Sequence, residues 1–297
     1  MRVDPFFVVN LAGPLDQTQV TQQQLTEELS SGVRVTSIGQ DPVAAAQNVQ
    51  LLNQIQRDDS FTQTTSLAQG LLQVTDSALG SVVTQLNQAI SLATQADNGT
   101  LNSSDLKSIS SEIAGLRDEV LSLANTNYQG QYVFGGSQTS STPFTINYAT
   151  TPATVTYNGD GDVNTLTAPD GQSIQLNVPG NQIFTASSSN VLGALNNLIA
   201  DYASGTQGSG VTDTTALNSA LNYIGEQRVA IDNSISRLNA ASGAAKTESL
   251  QLTTVQTNLM QADLPSISTQ LSLTKSQQSA LISVISALGS GSLFDKL

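Results

Sequence analysis

NSSDLKSISSEIAGLRDEVLSLANTNYQGQYVFGG, residues 102–136, holds the point where the chain changes its pattern. Leu106, Ile109, Ile113, Leu116, Val120 and Leu123 recur at alternating steps of three and four, the seam of a helix that packs on another helix. Asn102, Ser103, Ser104 and Asp105 supply its cap. From Tyr128 the periodicity stops, and Gly130, Gly135 and Gly136 allow the positive φ that a reversal from helix into strand requires. The helical arm therefore ends here and a β-rich segment begins.

Upstream, Asp41-Pro42 is a helix start: a capping carboxylate, then proline where no N–H is needed. Ala45, Val49 and Leu52 open a stripe that Leu67, Leu71, Val74, Ala78, Val82, Leu86, Ala89, Ala93 and Ala96 continue to a stop at Asp97-Asn98-Gly99-Thr100. Unbroken, such a helix is ~84 Å long, too long for a compact domain of this size. Before it, residues 1–14 read as extended and 33–40 as a loop. Leu15, Leu25 and Leu29 share a heptad stripe with Thr18 and Gln22, and Ser30-Ser31-Gly32 closes that arm.

Downstream, residues 153–157 alternate, Asn158-Gly159-Asp160-Gly161 reads as a turn, and 163–167 alternate back as a hairpin. Asp170-Gly171 marks a second turn before 173–178. About 60 residues fold only marginally alone, so this lobe leans on the helices. Helical spacing returns from about Thr212. Leu217, Leu221, Ile224, Ile231, Ile235 and Leu238 form one stripe, interrupted by Arg228, and Leu252, Val255, Leu259 and Ala262 follow. Pro265 kinks or restarts the helix. Leu271, Leu281, Ile285 and Leu288 carry the last stretch to Gly289-Ser290-Gly291, before a short apolar tail at 292–297. The stripes at 106–123 and 217–238 are predicted to pack antiparallel.

The expected fold is mainly α with a small β domain. N- and C-terminal segments form an elongated antiparallel helical bundle or coiled coil, and a central β-rich domain is inserted between them. The expected division is terminal arms at 1–40 plus 252–297, a helical rod at 41–135 plus 186–251, and an outer β domain at 136–185. The candidate functional residues are those of an assembly surface on the arms: Leu15, Leu25, Leu29, Leu271, Leu281, Ile285 and Leu288.

Composition narrows the function classes. The 297 residues carry 10 basic and 23 acidic side chains, a net charge of -13, which disfavours nucleic acid and anionic membrane as partners. No apolar run is long enough to span a membrane, and the N-terminus does not read as a cleavable signal. Cys, His and Trp are absent, removing thiolate chemistry, the usual zinc and copper ligands and the commonest general base. No cofactor, metal or catalytic residue is expected. Charged residues are only 11%, and neutral polar side chains take their place on the helices, which fits equally a lineage with Ser/Thr/Gln-rich usage and faces that become buried against neighbouring copies.

Two motifs are weaker than they look. Asp160-Gly161-Asp162-Val163-Asn164 begins like a calcium loop, but Thr165 and Gly171 stand where glycine and glutamate are needed. Ser272-Leu273-Thr274-Lys275 fits S-x-x-K, with no S-D-N or K-T-G after it. Asn98-Gly99-Thr100 and Asn102-Ser103-Ser104 are formal glycosylation sequons that read better as helix stop and helix cap.

Several passages together resemble one family. Leu29-Ser30-Ser31-Gly32-Val33-Arg34-Val35 followed by Asp41-Pro42-Val43-Ala44-Ala45 resembles its N-terminal signature. Residues 125–136, leading to Thr142-Pro143-Phe144, resemble its exit from the helical core. Val155-Thr156-Tyr157-Asn158-Gly159-Asp160, and Asn177-Val178-Pro179-Gly180 then Phe184, resemble its outer domain. Gln261-Ala262-Asp263-Leu264 and Ser292-Leu293-Phe294 resemble its C-terminal arm. In order and coverage the chain is similar to the type 3 hook-associated proteins of bacterial flagella, hook–filament junction proteins related to flagellin. Flagellin itself is the near alternative, although flagellins tend to carry Asp-Asp-Ala-Ala-Gly where Gln40-Asp41-Pro42-Val43-Ala44 stands here. The start also departs from the family, with Asp4-Pro5-Phe6-Phe7 in place of a Ser/Thr-rich segment.

The resemblance implies a structural role without catalysis. It implies export without a cleavable signal through the flagellar type III channel, with a flagellar export chaperone as partner. It also implies a homo-oligomeric ring at the extracellular hook–filament junction, between the hook-side junction protein and flagellin. A secreted coiled-coil stalk or adhesin is the expectation from another class, and an enzyme using Ser272 and Lys275 the weakest.

Overall fold

The computed structural model describes residues 5–186, 190–206 and 210–290. In chain order they form α1 (Pro5–Ser31), α2 (Pro42–Asp97), α3 (Ser103–Ala124), β1 (Asn127–Tyr128), β2 (Gln131–Tyr132), β3 (Phe144–Asn147), β4 (Thr154–Tyr157), β5 (Thr165–Thr167), β6 (Ser173–Gln175), a π-helical turn (Asn181–Thr185), α4 (Val191–Ser204), α5 (Gly210–Met260) and α6 (Leu264–Ser290). The fold is mainly α with small antiparallel sheets, as the periodicity predicts. The chain divides into two compact units, Met1–Arg57 with Thr247–Leu297, and Asp58–Lys246.

In the first unit α1 lies against α6, with Leu25 buried against Ala262 and Ile267 and with Leu271 packed beside them. The helix starts nine residues before the extended segment was expected to end. Pro5 suits a first helical position, and Pro14 sits inside the helix at the cost of one ladder hydrogen bond. Residues 1–4, the tail at 292–297 and the side chain of Leu288 lie outside the described residues. α6 restarts at Leu264, one residue ahead of Pro265, and Asp263 Oδ1 before it accepts from the Ser266 amide at 3.2 Å.

The second unit has one continuous core. Leu72, Leu79, Val82 and Leu86 of α2, Leu106, Ile113 and Val120 of α3, and Leu217, Ile224, Ile231 and Leu238 of α5 enter it together with Phe134, Phe144, Ile174 and Phe184 of the β-rich segment. The expected cap on α3 is a full capping box, Asn102 accepting from Asp105 and Asp105 returning to the Asn102 amide. The predicted neighbour of α3 is corrected in part. Its stripe shares a core with that of α5, but the helix lying along it is α4. Ser110 Oγ donates to Ile199 O at 2.8 Å, and Arg117 Nη1 donates to Asn196 Oδ1 at 3.1 Å. α5 is joined to α2 by Arg228, whose Nε is 2.7 Å from Asp76 Oδ1; the break it makes in the stripe is an ion-paired position.

The strand pairing also differs from the expected hairpin. Residues 154–157 pair backwards with 144–147, and 165–167 pair forwards with 173–175. Asp170-Gly171 does turn the second pair, with Gly171 at φ +84. Asn158-Gly159-Asp160-Gly161 turns no hairpin, because Asp160 is drawn away to Ser137: its carboxylate accepts from the Ser137 amide at 2.7 Å and from the Ser137 hydroxyl.

Candidate assembly site

Segments from the N-terminal and C-terminal parts of the chain meet in the first unit. Gly32, at φ +69, ends α1 and lets the chain turn. The Arg34 amide donates to Met260 O at 2.7 Å, the Ala262 amide donates to Gly32 O at 3.0 Å, and Val33 bridges Gln261 antiparallel. Arg34 then reaches two ways: Nη1 lies 3.1 Å from Asp41 Oδ2, and Nη2 donates to Leu259 O at 3.3 Å. Asp41 caps α2 through the Ala44 amide at 3.0 Å. That amide and the Arg34 guanidinium hold its carboxyl below the ordinary carboxylate value. The segments 31–42 and 259–264, far apart in sequence, thus form one hydrogen-bonded clip.

Beside the clip is a groove of about 350 Å³ lined by Val35, Ile38, Pro42, Ala45, Val49 and Met260. Ile38 is 75% exposed and Val43, on the same turn of α2 as Pro42, is 67% exposed. Such exposure is general in this unit. Seventeen large apolar side chains among the described residues are exposed, and twelve of them fall in it, including Val20, Val49, Val255, Leu264, Leu273 and Ile282. Its net charge is small, -3 from five basic and eight acidic residues, against -10 from five and fifteen in the other unit.

The seven leucine and isoleucine positions picked from the heptad stripes fall on α1 and α6. Leu25 is buried and Leu271 is packed on the same small cluster. Leu15, Leu281 and Ile285 are half-buried, and Leu29 is 37% exposed. Leu25 and Leu271 therefore hold the arm pair together, while Leu29 faces outward. Val43, Val49 and Val255 were not among the candidates. Their polar-flanked spacing does not distinguish an outward apolar face from an inward one.

The passage at 125–136 has its own geometry in the second unit. Asn125 clamps Phe144 both ways, Nδ2 to its carbonyl and Oδ1 from its amide, each at 2.9 Å. Gln129 and Gly130, at φ +52 and +84, make the two-residue turn between β1 and β2. Phe134 O accepts from the Gly180 amide and the Tyr157 hydroxyl, both at 2.9 Å. Phe184 meets Phe134 and Phe144 edge-on, each with ring centroids 5.3 Å apart, and burial pushes the Tyr157 phenol up to about 12. Arg117, 5% exposed and unsuspected from sequence, stacks on Tyr148 with 5.1 Å to the ring centroid. These residues lock the β-rich segment onto α3 and α4.

The weaker motifs are accounted for locally. Ser272 Oγ donates to Ser268 O at 2.9 Å, on the exposed side of α6 with Lys275. Among the described residues no cluster of potential ligands could hold a metal ion, and no helix is long and apolar enough to cross a membrane.

The terminal unit is a pair of helical arms closed by a hydrogen-bonded clip and carrying exposed apolar side chains, and the chain is similar to flagellar proteins of the flagellin and hook-associated type. The family model of the bacterial flagellin N-terminal helical region matches residues 9–139. The chain is similar to hook-associated protein 3: that of Salmonella typhimurium is 30% identical over 62% of this chain and 56% of its own length, and that of Escherichia coli is 34% identical over 46% and 43%. The matched stretch spans about half the length of these relatives. The flagellar junction protein FlgL from Legionella pneumophila shares the fold, with a TM-score of 0.56 at 15% identity over 73% of this chain and all of that one.

Proposed function

We propose that this protein is a structural subunit of the bacterial flagellum that joins the hook to the flagellin filament. The observation that carries this reading is the terminal unit, which holds most of the exposed apolar side chains and little of the net charge. An isolated subunit gains nothing from such a face, whereas copies packed side by side bury it. The similarity to hook-associated protein 3 of two bacteria supports the junction as the place. In this reading copies form a ring between the hook-side junction protein and flagellin. Leu15, Leu25, Leu29, Leu271, Leu281, Ile285 and Leu288 lie on the arms that enter the lattice. The residues at 136–185 form the outer part. The chain reaches this extracellular position through the flagellar export channel, delivered by a chaperone and without a cleaved signal, and its role is mechanical, not catalytic.

Deletion of the gene tests the proposal. The expected phenotype is hooks of normal length with no attached filament, and flagellin shed into the medium. Filaments still attached in the null strain would overturn the junction role. Absence of flagellin from both hook and medium would indicate a filament subunit instead.

A further inference from the structure

The sequence holds two Asn-Gly pairs, Asn98-Gly99 and Asn158-Gly159, and the structure treats them differently. Asn158 is held on several sides. Its amide donates to Pro143 O at 2.7 Å, and its Nδ2 donates to Thr145 Oγ1 at 3.3 Å and Thr142 O at 3.4 Å. Gly159 is enclosed too, with the position of a Cβ 2.7 Å from Gly135 O. Asn98 sits in the exposed turn between α2 and α3. Gly99 there has φ +77 and nothing within 4 Å of where a Cβ would stand. Thr100 Oγ1 donates to Asn98 Oδ1 at 2.7 Å.

We infer that Asn98 is a site of spontaneous deamidation, with the Thr100 hydroxyl as its built-in electrophilic assistant. The Gly99 nitrogen, its proton lost to a base in solution, attacks Cγ of Asn98 and forms a C–N bond. Negative charge gathers on Oδ1, where the Thr100 hydroxyl already donates. The Cγ–Nδ2 bond breaks and ammonia leaves with a proton from water. One further water opens the succinimide at either carbonyl, giving aspartate or isoaspartate. Open space around Gly99 allows the main chain to turn into the attacking geometry. At Asn158 the same approach requires three hydrogen bonds to break. The product adds a carboxylate next to Asp97, which accepts the Tyr202 hydroxyl at 3.2 Å, so an ageing subunit gains charge at the α2–α3 turn.

Trypsin separates the two sites, because cleavage at Arg57, Lys107, Arg117 and Arg228 leaves Asn98 in peptide 58–107 and Asn158 in peptide 118–228. The full-length folded protein is held in mildly alkaline buffer, then digested and mapped by mass spectrometry over time. The expected result is amide-to-acid conversion that accumulates in 58–107 well ahead of 118–228 and is absent there in Asn98→Gln. Denaturant should bring the two rates together. Thr100→Val should slow conversion at Asn98 by roughly threefold to tenfold, the size of one hydrogen bond. Equal rates at the two sites in the folded protein, or faster conversion at Asn158, would overturn the inference. An unchanged rate in Thr100→Val would overturn the part given to the hydroxyl.

Discussion

Gly136 shows how one residue fixes the β-rich segment. At φ +70 it lies against the Asp160 carboxylate, and a Cβ there would collide with the Asp160 side chain and backbone. Gly136→Ala therefore combines left-handed strain with displacement of the Ser137–Asp160 bonds, and a loss of ~1–3 kcal/mol is expected in urea denaturation. No change in the midpoint would mean that Asp160 has an equally good position elsewhere. Asp213 makes a second prediction, in pH. Burial, and beyond it Asp201 and Asp97, raise its carboxyl above the ordinary value of 3.8, against a lowering bond from Asn197. A raised folded value means the native state binds the proton more tightly than the unfolded chain does. Stability is then lost as pH rises through that range, and the ionised group is a burden at neutrality. Asp213→Asn should melt higher than the parent at neutral pH, with the difference shrinking towards pH below 3.8. A lower melting point at neutrality would show that the Asn197 bond dominates. The residue-level logic of 125–136 was only half legible: its glycines announce a reversal, but that Phe134 O and Gly135 O are acceptors for Gly180, Tyr157 and Asp160 depends on partners 23–46 residues away.

At the scale of elements, what the sequence revealed follows from how local each signal is. The start of α2 at Asp41-Pro42, the capping box of α3 and the turn at Asp170-Gly171 lie within a few residues of what causes them, and all three were legible. The partner of β4 was not, because the alternating runs at 154–157 and 165–167 fit each other as well as they fit their true partners. α4 escaped notice despite clear signals, Asn190 accepting from the Gly193 amide at the start and Gly205 at φ +81 at the end. Its 14 residues mix Asn196, Asn197 and Asp201 with the apolar positions, and so short a stretch offers about four helical turns in which a period can repeat. Its importance shows in packing, since Val191, Leu192, Leu195 and Leu198 are fully buried beside Ile113 and Val120 of α3. Ile113→Ala and Leu195→Ala should each cost ~2–5 kcal/mol in chemical denaturation. A cost below half a kcal/mol at either would remove the α3–α4 pair from the core.

The whole molecule is read from where its apolar surface lies. Among the described residues the first unit buries Leu25, Ala262 and Ile267 in its own arm cluster, while the second has a core running through four helices and the β-rich segment. Ordering the arms is then poorly offset in a lone chain. Brief trypsin treatment should cut at Arg34, Arg57 and Lys275 first and leave a protected fragment near Asp58–Lys246. Early cleavage at Lys107 or Arg237 would contradict this. The half-polar stripe of Leu15, Thr18, Gln22 and Leu25 was legible as that of a marginal arm. Which side chains face outward was not, because exposure depends on the clip formed by Arg34, Met260 and Ala262. The most direct test places a charge at exposed apolar positions of this unit without disturbing the fold. Val255 is 53% and Leu273 is 59% exposed, so Val255→Lys and Leu273→Lys should each change the stability of the isolated protein by no more than about 0.5 kcal/mol. Expressed in a strain lacking the gene, the double variant is predicted to be exported but to leave hooks bare in electron micrographs, with flagellin in the medium. Hooks carrying filaments as often as with the parent protein would contradict the claim that the exposed apolar side chains of this unit hold the subunits together.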